Sequence, residues 1–135
     1  MNAEIIAVGS ELLTPYHQDS NSLYLTGKLN ELGVEVAFKT IVGDRAAHIE
    51  GAVKLALDRT DLVICMGGLG PTEDDLTRES VAAALGRGLR RDPALSGELY
   101  ARFARRRMKM PENNLRQADV IEGEEALPNA HGTAP

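Results

Sequence analysis

Residues 61–71 read Asp-Leu-Val-Ile-Cys-Met-Gly-Gly-Leu-Gly-Pro, a short apolar run followed directly by a glycine-rich turn. The run from Asp61 to Met66 is typical of a buried strand, and the periodicity that follows predicts a helix from Leu76 to Leu85, ending at Gly86. Glycines let backbone N–H groups approach a ligand closely, and the start of a helix favours an anion. The turn is therefore a candidate phosphate site, with a tight strand-to-helix turn that holds no ligand as the alternative.

The rest of the chain alternates between strand and helix patterns in the same way. Strands are predicted at 3–8, 34–42 and 118–121, and helices at 20–32 and 95–103. Between them, Ile49, Val53, Ala56 and Leu57 recur at helical spacing and predict one apolar helix face. Strands that alternate with helices imply parallel pairing through right-handed crossovers. The predicted fold class is therefore α/β, a three-layer α/β/α sandwich with a mostly parallel sheet.

Composition limits the classes of function that the chain can serve. Its 135 residues, of which 43% are hydrophobic, fit a single domain over 1–135. A net charge of −5 and an aromatic content of 4% argue against a nucleic-acid partner. Cys65 is the only cysteine, which excludes an internal disulfide and a cysteine-based zinc site. No apolar run approaches the roughly 20 residues of a membrane span, and no secretion signal is visible, so no membrane partner and a cytoplasmic location are expected.

Acidic residues follow the predicted strands where a parallel sheet places its ligands. Glu73, Asp74 and Asp75 precede the helix behind the glycine turn, and acids there complement the helix dipole or cap its free N–H groups. Two aspartates beside a phosphate also repel it unless a hard divalent cation lies between them. Glu11 and Asp44, at the ends of two other strands, could complete such a metal site.

Residues 67–79 read Gly-Gly-Leu-Gly-Pro-Thr-Glu-Asp-Asp-Leu-Thr-Arg-Glu and resemble the signature of the N-terminal domain of the competence/damage-inducible protein A (CinA) family. That domain type belongs to the wider molybdopterin-binding (MoaB/Mog-like) superfamily. The resemblance covers essentially the whole chain. Further matching segments lie at 4–13, 21–22, 42–44, 112–114, 117–118, 127–129 and 132–135.

The resemblance implies an activity and a set of site residues. Similar members hydrolyse ADP-ribose at its pyrophosphate, giving AMP and ribose 5-phosphate, with a divalent metal such as Mg²⁺, Mn²⁺ or Co²⁺. Asp75 and Asp44 are the expected catalytic residues, Thr77 and Glu79 the expected loop supports. The expected metal ligands are Asp44, Asp74, Asp75 and Glu11. The expected substrate-binding residues are Gly9, Ser10, Glu11, Asn21, Gly67, Gly68, Leu69, Gly70, Thr72, Gly132, Thr133 and Ala134.

The resemblance also implies partners and alternatives. Superfamily members form oligomers, so a dimer or trimer is expected, and many relatives carry a C-terminal nicotinamide mononucleotide amidohydrolase domain that is absent here. The family continues past its Gly-Thr-Ala-Pro motif into another strand and helix, so a domain truncated at Pro135 is expected. One alternative is a module that binds nucleotide or molybdopterin without turnover, and another is a purely structural dimerisation module. The basic residues from Arg102 to Lys109 are either a solvated helix end or a rim that attracts an anionic nucleotide.

Overall fold

Three parallel strands form the central sheet of the computed structural model, which describes residues 1–135. They are β1 (Asn2–Val8), β2 (Glu35–Val42) and β3 (Leu62–Met66), in the order β2-β1-β3. The central β1 pairs with both neighbours, and Ile5 lies opposite Lys39 on one side and Ile64 on the other. The predicted parallel sheet is confirmed, and all three strands end at the same edge.

Helices cover both faces of this sheet. They are α1 (Ser20–Glu31), which joins β1 to β2, α2 (Ala46–Arg59), which joins β2 to β3, and α3 (Thr77–Leu85) after β3. Because side chains alternate along a strand, Ala3 and Ile5 pack with Leu29 of α1, whereas Ile6 and Val8 pack towards α2. These layers make the three-layer sandwich that the sequence predicted.

A second, smaller unit follows α3. The strands β4 (Leu89–Arg91) and β5 (Asp119–Ile121) pair in antiparallel fashion, and α4 (Pro93–Arg105) lies between them in the chain. Leu99 of α4 packs against Met110 and against Ala118, which ends a 3-10 helix at Glu112–Ala118. This unit places α4 and the 3-10 helix beside the turn that follows β3.

The structure corrects the sequence-based predictions at several points. β4 was not predicted, because Leu-Arg-Arg shows no apolar alternation. Every residue of β3 is half-buried rather than buried, since β1 is its only partner strand. Leu57, which was assigned to the apolar face of α2, is 44% exposed. No helix of the chain is both long and apolar enough to cross a bilayer.

One buried ion pair lies on the α2 side of the sheet, near its amino edge. The Glu4 side chain is 1% exposed and accepts hydrogen bonds from Arg59 Nε (2.8 Å), Arg59 Nη2 (2.7 Å) and Thr40 Oγ1 (2.6 Å). The Arg59 guanidinium lies 3.8 Å from the centre of the Phe38 ring. The bonds from Arg59, helped by Thr40, hold the pKa of Glu4 below its ordinary value although burial acts to raise it. Glu4 is therefore charged and fully paired.

Reciprocal hydrogen bonds fix both ends of β1. At the amino end, Asn2 N donates to Asp61 Oδ2 (2.9 Å) and Asp61 N donates to Asn2 Oδ1 (3.0 Å). At the carboxyl end, Ser10 N donates to Asp44 Oδ2 (2.9 Å) and Asp44 N donates to Ser10 Oγ (3.0 Å). The first pair joins β1 to β3 and the second joins β1 to β2. Hydrogen bonds at the two ends of β1 therefore help to fix its register with each neighbouring strand.

Candidate functional site

The glycine loop, residues 67–75, leaves the carboxyl end of β3 in a conformation that requires glycine. Gly67 and Gly68 have φ values of +84° and +64°, in the left-handed region that other residues rarely adopt. A Cβ at Gly67 would lie 2.2 Å from the Val8 carbonyl oxygen, and one at Gly68 would lie 2.3 Å from Thr77 Oγ1. These glycines are needed because the loop passes against β1 and against the start of α3.

Side chains behind the glycine loop hold its carbonyl groups. Thr77 Oγ1 donates to the Gly67 carbonyl (2.7 Å), while Arg78 Nη2 (3.3 Å) and Gln117 Nε2 (3.4 Å) donate to that of Leu69. The backbone N–H groups of Gly68 and Leu69 pair with no protein acceptor. Gly68 and Leu69 are half-buried residues of a glycine-rich turn before a helix, and N–H groups in such a turn are typical donors to an anion.

Arg116 joins the far half of the glycine loop to the 3-10 helix. Its guanidinium donates to the carbonyl of Thr72, to that of Asp75 (3.1 Å) and to Glu79 Oε1 (2.9 Å). The other Glu79 oxygen is buried without a partner. Arg116 therefore pairs with the charge of Glu79 on α3 and holds the glycine loop with the same side chain. No local sequence pattern predicts this role.

The Asp75 carboxylate closes the glycine loop on itself. Its Oδ2 accepts from Thr72 N (2.9 Å) and Thr72 Oγ1 (2.6 Å). Burial acts to raise the pKa of Asp75, but these bonds, a further one from the Gly70 N–H and the charge of Arg116 together hold it below its ordinary value. Asp75 is thus an ionised group whose hydrogen bonds hold the conformation of the glycine loop. Its predicted catalytic role stays a prediction.

Two more predicted acids lie at the ends of β1 and β2. Asp44 is bound to Ser10, as described above. Glu11 folds back over Gly9, where an added Cβ would lie 2.6 Å from Glu11 Oε1. Glu11 makes no hydrogen bond or ion pair through its side chain, so its carboxylate is available to a ligand.

The predicted metal ligands do not assemble a site by themselves. Nowhere in the chain do three or more histidine, cysteine, aspartate or glutamate side chains come together in a way that could hold an ion. Asp75 and Asp44 accept hydrogen bonds from the protein, and Asp74 is exposed on the loop. The residues present do not fit a protein-only metal centre, so no chemical step is derived through one.

Two cavities flank the glycine loop. The strand-end cleft lies between the ends of β1 and β3 and the start of α1, and its volume is about 130 Å³. Three predicted residues line it: Glu11, Asn21 and Gly67. Gln18, Asp19 and Ser20 also line this cleft, and the sequence analysis did not predict them. Asp19 caps α1 by accepting a hydrogen bond from Ser22 N (3.0 Å). The preference for Asp at the N-cap of a helix is the sequence signal that could have identified it.

The second cavity, the α4 cleft, is larger, about 300 Å³. Its walls are α4 and the loop 128–135, which includes the predicted Gly132, Thr133 and Ala134. Gln117 lines it and also binds the Leu69 carbonyl, so this cleft adjoins the glycine loop. The predicted site is therefore divided between two cavities. The remaining predicted residues line neither of them: Gly9, Ser10, Asp44, Gly68, Leu69, Gly70, Thr72, Asp74 and Asp75.

Arg102 fastens the outer wall of the α4 cleft. Its guanidinium donates to the carbonyls of Gly132 and Asn129, the latter at 3.1 Å. The Asn129 side chain closes the same loop, accepting from the N–H groups of His131 (2.9 Å) and Gly132 (3.1 Å) and donating to the Ala134 carbonyl (2.7 Å). One residue of the basic segment therefore has a structural role that neither interpretation of the sequence predicted.

Comparison with known proteins identifies the class of this fold and site. A family model described as a probable molybdopterin binding domain matches residues 4–130, and the chain belongs to that family. It is similar to a CinA-like protein of Koribacter versatilis, with 63% identity over 135 residues, 100% of this chain and 33% of that protein. It is also similar to a putative competence-damage inducible protein of a Geobacillus species, with 51% identity over 100% of this chain and 32% of that protein. The chain thus spans about a third of the length of these curated relatives.

Solved structures agree with this assignment. The crystal structure of CinA, of unknown function, from Thermoplasma acidophilum superposes with a TM-score of 0.92 and 31% identity, over 99% of this chain and 78% of that one. The molybdopterin biosynthesis enzyme MoaB from Thermus thermophilus gives a TM-score of 0.60 with 25% identity, over 89% of this chain and 78% of that one. The resemblance to the CinA family and the MoaB/Mog-like fold, both predicted from the motifs, are confirmed.

Proposed function

We propose that this domain binds the phosphate groups of a nucleotide at the glycine loop and hydrolyses the pyrophosphate of ADP-ribose there. The observation that carries the proposal is the pair of unpartnered N–H groups of Gly68 and Leu69, which follow Gly67, a residue that lines the strand-end cleft. Donors fixed in place stabilise the charge that develops on a phosphoryl oxygen. The domain family is consistent with this ligand class, because molybdopterin also carries a phosphate.

The proposed reaction adds water across the pyrophosphate. A water oxygen attacks one phosphorus, the bond from that phosphorus to the bridging oxygen breaks, and AMP and ribose 5-phosphate leave as products. Glu11 is the carboxylate best placed to orient this water, because it lines the cleft and has no protein partner. In this proposal Asp75 and Asp44 position the loops, since both already accept protein hydrogen bonds.

A divalent cation is part of the proposal as a companion of the substrate. Mg²⁺ typically takes one or two carboxylates together with substrate phosphates and retains several waters. An ion that enters with the pyrophosphate does not require the three-residue cluster that the chain lacks.

The second candidate is a module that binds nucleotide or pterin without turnover. It is favoured by the same engaged carboxylates, because Asp75 and Asp44 are both occupied by the protein. The two candidates share the phosphate contact at the glycine loop and differ in whether Glu11 acts on water.

The deciding experiment measures AMP release from ADP-ribose with Mg²⁺, Mn²⁺ or Co²⁺ and with EDTA. We expect turnover only with metal, with Glu11→Gln lowering kcat about 100-fold and leaving binding intact. Asp75→Asn is expected to weaken binding instead, because it opens the loop. If Asp75→Asn removes turnover but not binding, Asp75 is catalytic as the sequence predicted. Binding without turnover by the unmodified chain would establish the second candidate.

A further inference from the structure

We propose that the α4 cleft is the ribose subsite of this domain, in which Glu98 accepts hydrogen bonds from two neighbouring sugar hydroxyls. The inference rests on the proposed function, because it assigns the second moiety of the ligand whose phosphate lies at the glycine loop.

Size is the first argument. Sites for small molecules usually measure about 300–1,000 Å³. The strand-end cleft, at about 130 Å³, has room for a phosphate but not for a nucleoside, whereas the α4 cleft encloses about 300 Å³. A nucleotide that places its phosphates on the glycine loop must place a ribose outside the strand-end cleft, and the α4 cleft has the volume for it.

The chemistry of the lining is the second argument. Leu95 and Leu99 give the cleft an apolar side, while Glu98 and Arg105 line it without any hydrogen bond or ion pair to the protein. A ribose ring matches this mixture, because it has an apolar C–H face and hydroxyls that both donate and accept. The two oxygens of a carboxylate can each accept from one hydroxyl, and a guanidinium, which only donates, can serve the hydroxyl or ring oxygens.

The same lining disfavours a phosphate in this cleft. An anion would meet the Glu98 carboxylate and the negative end of the α4 dipole. Arg102, the other basic residue of the lining, is already bound to the carbonyls of Gly132 and Asn129. Arg105 is the one cation of the lining without a partner, and its charge is balanced by that of Glu98. The cleft therefore has no excess positive charge to hold a phosphate and suits a neutral, hydroxyl-rich group.

Continuity with the glycine loop is the third argument. Gln117 lines the α4 cleft and donates a hydrogen bond to the carbonyl of Leu69 (3.4 Å). The N–H group of Leu69 is one of the two that have no protein partner. The phosphate site and the proposed ribose site thus share one residue. Arg102 and Asn129 hold the loop that forms the opposite wall of the cleft.

The test compares binding of inorganic pyrophosphate, AMP, 2′,3′-dideoxy-AMP and ADP-ribose by calorimetry. We expect the unmodified chain to bind AMP about tenfold more tightly than the dideoxy analogue, since two bonds to a charged acceptor are lost. Glu98→Gln should weaken AMP and ADP-ribose about tenfold, remove the preference for AMP over the dideoxy analogue and leave pyrophosphate unchanged. Glu35→Gln is the matched control, because Glu35 is exposed, has no side-chain partner and begins β2 at the opposite edge of the sheet.

The two proposals fail in different ways. If Glu98→Gln alters ribose-containing ligands no more than Glu35→Gln does while pyrophosphate binds, the ribose subsite is overturned and the phosphate site stands. If pyrophosphate does not bind the unmodified chain, the proposed function fails and the subsite fails with it. A dideoxy analogue that binds as well as AMP would also overturn the ribose assignment.

Discussion

The two edges of the central sheet differ in whether polar groups remain without a protein partner. Near the amino edge, Glu4 is buried and accepts three hydrogen bonds from Arg59 and Thr40. At the carboxyl edge, the N–H groups of Gly68 and Leu69 and the carboxylate of Glu11 have no protein partner. Glu11 is exposed to water, and all three groups lie at the edge where a parallel sheet binds its ligands. The contrast separates residues that serve folding from residues available for binding.

The largest effect is expected from Gly67→Ala. The new Cβ would meet the Val8 carbonyl oxygen at 2.2 Å and would also force alanine into a left-handed conformation. We expect a loss of about 3 kcal/mol in the free energy of unfolding, measured in urea, together with loss of pyrophosphate binding.

Gly86→Ala is the matched control for that change. Gly86 has a similar φ of +65° at the end of α3, but a Cβ added there would have nothing within 4 Å of it. It should lose only about 1 kcal/mol and retain binding. Equal losses for the two variants would show that the close approach of the glycine loop to β1 has no energetic consequence.

Glu4→Gln, near the amino edge of the sheet, should produce the next largest loss of stability. The change removes the charge that pairs with Arg59 and should lower the free energy of unfolding by about 2 kcal/mol without changing pyrophosphate affinity. Because the folded-state pKa of Glu4 is depressed, its contribution is complete above its ordinary value of 4.5 and is lost as the pH falls below it.

A pH series sharpens that result. The gap in unfolding free energy between the unmodified chain and Glu4→Gln should narrow as the pH is lowered from about 6 to about 3, since Glu4 takes up its proton in the unfolded chain before it does so in the folded protein. A gap that stays constant over this range would mean that Glu4 acts through its shape rather than its charge.

Arg116→Gln should have a smaller effect, on ligand binding at the carboxyl edge of the sheet. It releases the carbonyls of Thr72 and Asp75 and leaves Glu79 without its partner, so pyrophosphate binding should weaken about tenfold. Arg106→Gln removes the same charge from an exposed residue without a side-chain contact and should change binding less than about twofold at moderate salt. Similar weakening by both variants would indicate a long-range charge effect instead of loop positioning.

The smallest effect, and the one of opposite sign, is expected from Gly51→Ala. Gly51 lies on the exposed side of α2, and nothing is within 4 Å of the added methyl group. The unfolding free energy should rise by about 0.5–1 kcal/mol, because alanine favours a helix more than glycine does. Any change in ligand binding would contradict the separation of folding and binding residues.

Sequence patterns predicted the main elements because their signals are local. Apolar periodicity and the helix-ending Gly86 placed α3 to within one residue, and the apolar run before Gly67 placed β3. The half-buried state of β3 was not predicted, because burial depends on which elements lie beside a strand and not on the strand's own residues.

The candidate site was predicted in part for the same reason. Its glycines and acids form a contiguous motif, whereas Arg116 reaches Thr72 across 44 positions in the chain. A lone arginine in a short 3-10 helix has no pattern that reveals this contact. The division of the site between two cavities likewise depends on how α4 and the loop 128–135 pack.

The strand order also has a consequence for how the chain folds during synthesis. β1 is made first but occupies the centre of the sheet, and its amino-end partner, Asp61, follows Asn2 by 59 residues. Until β2 and β3 emerge, this apolar segment has no neighbour on either side, and contacts between distant segments form slowly. The nascent chain therefore carries an unpaired apolar segment until β3, which ends at Met66, has been made. Variants that delay closure of β3 should lower soluble yield more than equilibrium stability indicates.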